Sequence, residues 1–556
     1  MKRDLTLLRD KQFDVLIIGG GIYGVCTAWD AALRGLSVAL IDKNDFGSAT
    51  SSNSLKIIHG GLRYLQHADF KRMRESIQER RVLMHIAPHL VHPLTCVMPT
   101  YGHALKGKEV MSVALRINDI VGFDRNKSAD PNKFMPNGKV LSKSDCLDLI
   151  PGVDEAGLTG AALWYDCQVY NSERLLISIL HSAVEAGATV ANYVEMTGFT
   201  TDADAVTGVT IKDGLSGDTF DICARVVVNN SGPWVNDVLA HLNGRQISSG
   251  TRLSYAMNLV VKKQVFPKYA VGVWSKTQFK DNDAVLSKGS RLYFITPWRD
   301  YTVIGTTHDH YEGKASDFDV SEEAVVAFIE ELNHTLPSLD IKREDVTLIY
   351  RGILPIEENH PGAGDIKLLK QYQIVDHHSR DGLDGLITVI GVKYTTARDV
   401  ARHAVDHVLR KLKRQPVESQ TNQTPVYGGR IERFDDFLKQ EKRKKLNKLN
   451  DQDIERLIHN YGSEYHKIIE LGDEKPDWLE NVSNSRVFKA EIVNAVRNEM
   501  AVKLSDVVRR RTELGSAEYP GDDAVKECAS VMADELCWPE GRVRDEIKET
   551  KDIYFS

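Results

Sequence analysis

At 556 residues the chain exceeds what one ordinary hydrophobic core supports, so two or three domains are expected. Apolar residues make up 42% and charged residues 27%, a soluble globular balance, and a formal net charge of −7 leaves no basic excess for nucleic acid as a main partner. Seven scattered cysteines without a C-x-x-C pair, charges inside MKRDLTLLRDKQF and the lack of any eighteen-residue apolar run predict a reduced, cytoplasmic protein. No disulfide framework, zinc site, signal peptide or membrane span is expected, and any membrane contact would be peripheral, on the inner face of the cell membrane.

The first predicted element is the most informative. Residues 14 to 42, DVLIIGGGIYGVCTAWDAALRGLSVALID, read as an apolar strand, a glycine turn, a helix and a second strand ending in an acid. This is a dinucleotide-binding βαβ unit. Gly19, Gly21 and Gly24 fill G-x-G-x-x-G, which lets the backbone turn tightly, approach a pyrophosphate and pack the helix on the sheet, with the helix N-terminus facing phosphate charge. Asp42 would hold a ribose hydroxyl. A lone G-x-G-x-x-G is weak, but here the strand, the helix and the acid all accompany it.

A Ser- and Thr-rich loop follows from Phe46 to Gln66, suited to donate hydrogen bonds to an anionic or carbonyl-bearing ligand, and then a helix from about Asp69 to Met84 whose basic side reads as a solvated face. Residues 174 to 194 predict a helix closed by Gly187 and then a strand. The run Val226 to Val228 predicts a buried parallel strand ending in Asn-Asn-Ser-Gly-Pro-Trp. Between about 246 and 350 short alternating strands (LSYAMNLVV, RLYFITPW, YTVIGTT) predict an antiparallel, substrate-binding sheet. The segment DGLITVIGVKYTTARDVARHAVDHVLRKL then returns to strand, a glycine turn at Gly391, and a helix whose first turns are Thr395 to Arg398. A nucleotide domain assembled from pieces this far apart marks a flavoprotein rather than a compact nicotinamide domain.

Past residue 415 the chain is polar and helical. Its basic run Glu441 to Leu449 reads as an exposed helix face, with contact to anionic lipid as the alternative. Ile492, Val496, Met500, Leu504 and Val508 form one predicted helical stripe that Gly515 ends. The fold class is therefore α/β: a Rossmann-like domain from 11–95, 165–245 and 350–412, an antiparallel-sheet substrate domain from 96–164 and 246–349, and a helical C-terminal domain over 415–556.

The stretches IIGGGIYG, ATSSNSLKIIHGGLRYL, NNSGPWV, YTVIGTT, IGVKYTTAR and EIVNAVRNEMAVKLSDVVRRRTELG together resemble the FAD-dependent glycerol-3-phosphate dehydrogenases, within the glycine-oxidase and D-amino-acid-oxidase superfamily. The resemblance implies non-covalent FAD. By position it places Gly19, Gly20, Gly21 and Gly24 on the pyrophosphate and Asp42 on the adenosine ribose. Thr50, Ser51, Ser52, Lys56, His59 and Gly60 would line the ribityl chain and isoalloxazine ring, with Ser231, Gly232 and Trp234 near the cofactor's middle. Gly391 and Lys393 would lie by the pyrimidine end, and the helix beginning near Thr395 would offer N–H groups to the carbonyl where reduced flavin gathers charge. Arg63, Tyr64 and Lys393 match substrate-side positions.

Four positions depart from the family. Leu354 stands where relatives carry a phosphate-binding Arg, Val375 where they carry a second, Asn258 for a His, and His308 for an Asp. At about 1.5–3 kcal/mol per charge-assisted hydrogen bond, two lost arginines should weaken phosphate binding by roughly two to four orders of magnitude unless replaced. Arg351, Arg252, Arg299 and Arg398 are the candidate replacements, although Arg351, three residues before Leu354 on a strand, should point to the opposite face. If glycerol 3-phosphate is the substrate, substitution of Arg63 or of Arg351 should impair activity. His308 with Asn258 could supply a new proton-accepting pair.

The expected activity is oxidation of a secondary alcohol, glycerol 3-phosphate to dihydroxyacetone phosphate, by hydride transfer to flavin N5, with electrons passing to quinone or another acceptor. The alternatives are a re-specialised flavoenzyme acting on another alcohol or an amine, and a non-catalytic flavin-binding protein.

Overall fold

The computed structural model describes all residues except 103–106, 128–129, 243–244, 278–290, 358–368, 370, 447–448 and 556, and the side chains of 63, 66 and 67. Two sheets organise the first three quarters of the chain. In the first, strands run in the order Gln373–Asp376, Leu386–Ile390, Thr219–Asn229, Phe13–Ile18, Val38–Ile41, Thr189–Ala191. All neighbours in that path are parallel except the edge strand Gln373–Asp376, which runs antiparallel to Leu386–Ile390. Every residue of Phe13–Ile18 and Val38–Ile41 is buried, as expected of central parallel strands covered on both faces. Helices Ile22–Leu33, Ser172–Glu185 and Ala397–Lys411 pack together on one face, where Val15, Ile17, Val25, Trp29, Leu176 and Val400 share one core.

The second sheet has nine strands, in the order Val346–Glu357, Thr251–Val261, Tyr301–Tyr311, Leu292–Trp298, Ala270–Trp274, Val91–Tyr101, Leu158–Val169, Ile57–Ile58, with Lys139–Leu141 also on Leu158–Val169. Strands Val91–Tyr101, Leu158–Val169 and Val346–Glu357 run through the positions where the sequence reading divides the domains (95/96, 164/165 and 349/350). Each of these strands is eleven or twelve residues long and crosses its boundary without a break.

The C-terminal region is helical, with separate cores around Leu457, Ile458, Tyr465 and Phe488, and around Ile492, Leu504, Val525 and Met532. The stripe from Ile492 to Val508 is not one helix. Lys489–Asn498 stops, Met500 takes a left-handed backbone conformation (φ 55°), and helical structure resumes at Leu504–Asp506 and continues as a π-turn over Val507–Arg511. The apolar spacing alone cannot show that break. The helix predicted from Thr395 begins at Ala397, leaving Thr395 buried just before it.

Candidate active site

A cavity of about 720 Å³ lies between the two sheets, lined by the first glycine turn, the Ser- and Thr-rich loop and the strands of the second sheet. Gly19 is in a conformation that favours glycine (φ 103°), and a methyl on Gly24 would stand 1.8 Å from the Gly19 carbonyl oxygen. Helix Ile22–Leu33 therefore seats directly on the turn. Its N-terminus carries no side-chain cap, although Ser51 Oγ accepts from the Ile22 N–H at 3.0 Å.

Asp42 closes strand Val38–Ile41. Its Oδ2 accepts from the Gly20 N–H at 2.6 Å and its Oδ1 from the Asn44 N–H at 2.8 Å, while burial pushes its carboxyl up to about 6. Asn230, Ser231, Gly232 and Trp234 line the same end of the chain's first sheet. The side-chain oxygen of Asn230 and the indole nitrogen of Trp234 are shielded from solvent and have no partner among the described residues. A helix N-terminus on the cavity wall, a glycine cradle, a carboxylate at the second strand's end and orphaned polar atoms together fit a dinucleotide such as FAD.

At the other end, Tyr64, Lys393, Asn258 and His308 all line the cavity. Lys393 Nζ stands 4.3 Å over the Tyr64 ring, whose edge meets His59 with ring centres 5.7 Å apart. The Lys393 loop is pinned by Tyr23, whose hydroxyl donates to the Lys393 carbonyl at 2.8 Å and accepts from its N–H at 3.1 Å. Gly391 is where that ring packs, since a methyl there would meet it at 2.1 Å. Asn258 Oδ1 accepts from Thr306 Oγ1 at 2.7 Å and its Nδ2 donates to the Asn53 carbonyl at 3.3 Å, so it ties the cofactor loop to strand Tyr301–Tyr311. Gly305 opposite it leaves room for that amide. Thr50, in the cofactor loop, likewise donates to the Ile353 carbonyl of strand Val346–Glu357 at 2.9 Å.

Five expected cofactor residues do not line the cavity: Gly20 packs against Phe46 and Asp42, Gly24 packs against the Gly19 carbonyl, and Lys56, Ser52 and Gly60 face elsewhere. Lys56 is turned inward, where its ammonium donates to Glu173 at 2.7 and 2.9 Å, to Ser172 Oγ at 2.7 Å and to the Ser52 carbonyl at 3.1 Å. Burial lowers its pKa to about 8. Ser52 is buried and donates to the Ala49 carbonyl at 3.1 Å, and the Gly60 N–H donates to Asp166. Lys56 and Gly60 satisfy buried partners from distant segments and Ser52 a carbonyl of its own turn, which a pattern of small polar residues does not reveal. Thr50, Ser51, His59, Gly61, Ser54 and Thr395 do line the cavity; Gly61 and Ser54 went unpredicted, although both lie within the same motif. The side chain of Arg63 lies outside the described residues.

Among the four departures, Leu354, Asn258 and His308 line the cavity and Val375 does not, because Gln373–Asp376 is an edge strand of the other sheet. None of the suggested replacement arginines lines it. Arg351 is ion-paired with Asp319 and lines a separate cleft against the C-terminal helices, the opposite face from Leu354. Arg299 pairs with Glu513, Arg398 with Glu79, and Arg252 is solvent-exposed. Contrary to the expectation from sequence, Arg351→Ala should leave the KM for any cavity substrate within about twofold of the parent, since Arg351 does not line the cavity and its partly exposed ion pair contributes only about 0–1 kcal/mol to the fold. A steep rise in KM by steady-state kinetics would place Arg351 at the substrate after all.

The fold and this cavity define an FAD-dependent oxidoreductase, and the model of that family matches residues 14–391, with the C-terminal domain of alpha-glycerophosphate oxidase matching residues 419–543. More narrowly, the chain belongs with the glycerol-3-phosphate dehydrogenases. It is 34% identical to the glycerol-3-phosphate dehydrogenase of Synechocystis sp. over 98% of this chain and 97% of that one. It is 28% identical to the bovine mitochondrial glycerol-3-phosphate dehydrogenase, over 99% of this chain and 74% of that one. The X-ray structure of the glycerol-3-phosphate dehydrogenase from Bacillus halodurans complexed with FAD superposes with a TM-score of 0.77 at 26% identity, covering 99% of this chain and 96% of that one.

Proposed function

We propose that the protein oxidises glycerol 3-phosphate to dihydroxyacetone phosphate and passes the electrons to a quinone or a similar acceptor. The observation that carries this reading is the Lys393 ammonium over Tyr64, on a backbone held by Tyr23, in a cavity whose other end fits a dinucleotide. When bound, FAD supplies the hydride acceptor. The chain's residues do the rest: Gly19, Gly20, Gly21 and Gly24 seat the pyrophosphate, Asp42 takes ribose hydroxyls, and Ser231, Gly232, Trp234, Thr50 and Ser51 flank the remainder. Lys393, with Arg63, supplies positive charge to an anionic substrate, Tyr64 orients it, and the imidazole of His308, a residue of the cavity wall, takes the alcohol proton.

A second reading is favoured by one feature of the cavity wall. Part of that wall, three or more strands along the sheet from Leu354, is apolar, formed by Met98, Trp164, Trp274, Leu292 and Phe294, which suits an alcohol with an apolar substituent in place of a phosphate. Anaerobic reduction separates the two. Glycerol 3-phosphate should bleach the flavin rapidly while glycerol does not, and Lys393→Met should slow bleaching at subsaturating substrate by about 10- to 100-fold, the scale of one charged hydrogen bond. Bleaching by unphosphorylated alcohols alone, untouched in the Lys393 variant, would overturn the first reading and establish the second.

We also propose peripheral membrane contact through helix Lys108–Val121, which buries only Ala114, Leu115 and Asn118 among its described residues. Val113, Ile120 and the following Phe123 are 54%, 72% and 79% exposed, and no described helix is long and apolar enough to cross a membrane. Aromatic and aliphatic side chains projecting from an amphipathic helix bind at lipid interfaces. The holoenzyme should co-sediment with anionic vesicles, and Ile120→Ser with Phe123→Ser should reduce the bound fraction at least fivefold. Equal sedimentation of both proteins would remove this surface from consideration.

A further inference from the structure

The C-terminal helices reach back to the cofactor loop at one buried carboxylate. Asp45 lies three residues past Asp42, and its side chain is fully buried. Arg511 grips it through both oxygens, Nη1 to Oδ2 at 2.8 Å and Nη2 to Oδ1 at 2.7 Å, while Arg510 Nε donates to Oδ2 at 2.6 Å. Asn192, at the end of the adjacent strand, adds a bond to Oδ1 at 3.0 Å. The arginines are themselves fixed: Arg510 donates to Asp506 at 2.8 Å, which also accepts from the Tyr193 hydroxyl at 2.6 Å, and Arg511 donates to the Glu499 carbonyl at 3.1 Å.

The loop so held is bonded to the glycine turn at both ends. Gly47 N–H donates to the Gly20 carbonyl at 3.0 Å, and the Gly20 N–H donates to Asp42 at 2.6 Å. Asp45 is therefore the central peg of a short segment whose two flanks set the phosphate-side backbone and the ribose-side carboxylate. The Ser48 N–H donates to the Asp45 backbone carbonyl at 3.2 Å, but among the described residues no side chain of its own loop bonds the Asp45 carboxylate. Its charge is desolvated, and a buried carboxylate keeps its place only while its cationic partners are docked.

We infer that Arg510 and Arg511 are positioning residues for the cofactor: by clamping Asp45 they fix Asp42 and Gly20, so the C-terminal domain determines how tightly the adenosine half of FAD is held without touching it. This rests on FAD as the occupant of the cavity. Bidentate geometry is the active feature, since a lysine can keep the charge of Arg511 but not its planar fork.

The test is reconstitution of the deflavinated full-length protein with FAD, followed by quenching of flavin fluorescence, with ADP as a competitor that reports on the adenosine half alone. Asp45→Asn and the milder Arg511→Lys should each raise the Kd for FAD at least tenfold and raise the inhibition constant for ADP in parallel. A control is available in Glu491→Gln, which breaks the buried Arg456–Glu491 pair inside the C-terminal domain, away from the loop. It should lower the melting temperature yet leave both constants within twofold. Variants that bind FAD and ADP like the parent, or a control that weakens them equally, would overturn the clamp. Failure of the parent apoprotein to bind FAD would overturn the cofactor reading as well, and is distinguishable because no variant is needed to see it.

Discussion

Gly24→Ala is expected to purify without flavin. The added methyl carbon would lie 1.8 Å from the Gly19 carbonyl oxygen and 3.0 Å from its carbon, both backbone atoms that no rotamer change can move. Relief requires helix Ile22–Leu33 to withdraw by more than an ångström from the turn it sits on. That withdrawal disturbs the core around Val15, Ile17 and Val25 and carries the helix N-terminus away from the pyrophosphate position. Overpacking of this kind costs about 1–3 kcal/mol and more when backbone must move. The absorbance of flavin per mole of purified protein measures the outcome, and stoichiometric flavin would sink the argument. Gly21→Ala is the informative contrast. Its methyl would meet only Ser51 Oγ, at 3.2 Å, so the apoprotein should melt near the parent while FAD affinity falls, because the methyl enters the mouth the cofactor uses.

Lys56→Met should cost about 3–5 kcal/mol, through Glu173 left buried and unpaired. The Lys56 side chain is fully buried and that of Glu173 is 4% exposed, and the pair joins the cofactor loop to the start of helix Ser172–Glu185 beneath Trp298 and Tyr350. The apparent melting temperature of the apoprotein should fall by about 3–4 °C. Replacing both partners, Lys56→Met with Glu173→Leu, should recover most of it, since apolar residues of similar volume often substitute for a buried ion pair. Were Lys56 instead a contact to the flavin, as its motif suggests, the single variant would lose FAD affinity while the apoprotein melted normally.

These two residues also mark where sequence reading succeeds and where it stops. The βαβ unit was legible because its elements are neighbours in the chain: apolar runs, glycines and an acid at fixed spacing state a local geometry, and strand Phe13–Ile18, helix Ile22–Leu33 and strand Val38–Ile41 appear where expected. The period of two along a strand likewise placed Leu354 and Arg351 on opposite faces, as found. The near-full-length likeness to glycerol-3-phosphate dehydrogenases followed from motifs that are themselves contiguous.

What only the tertiary structure decided is the partner of each long charged side chain. Lys56 finds Glu173, 117 residues on, and Arg511 finds Asp45, 466 residues back. Both motifs advertised charge, but which charge is buried against which depends on how distant segments pack, and local spacing carries no record of it. The same holds for Val375, set outside the cavity by its edge position in the other sheet, and for the break at Met500, where the chain leaves the helix so that Glu499 can meet Arg174 at 2.7 Å. Propensity and periodicity act between near neighbours; desolvation and ion pairing act across the folded interior, and they assigned these residues their roles.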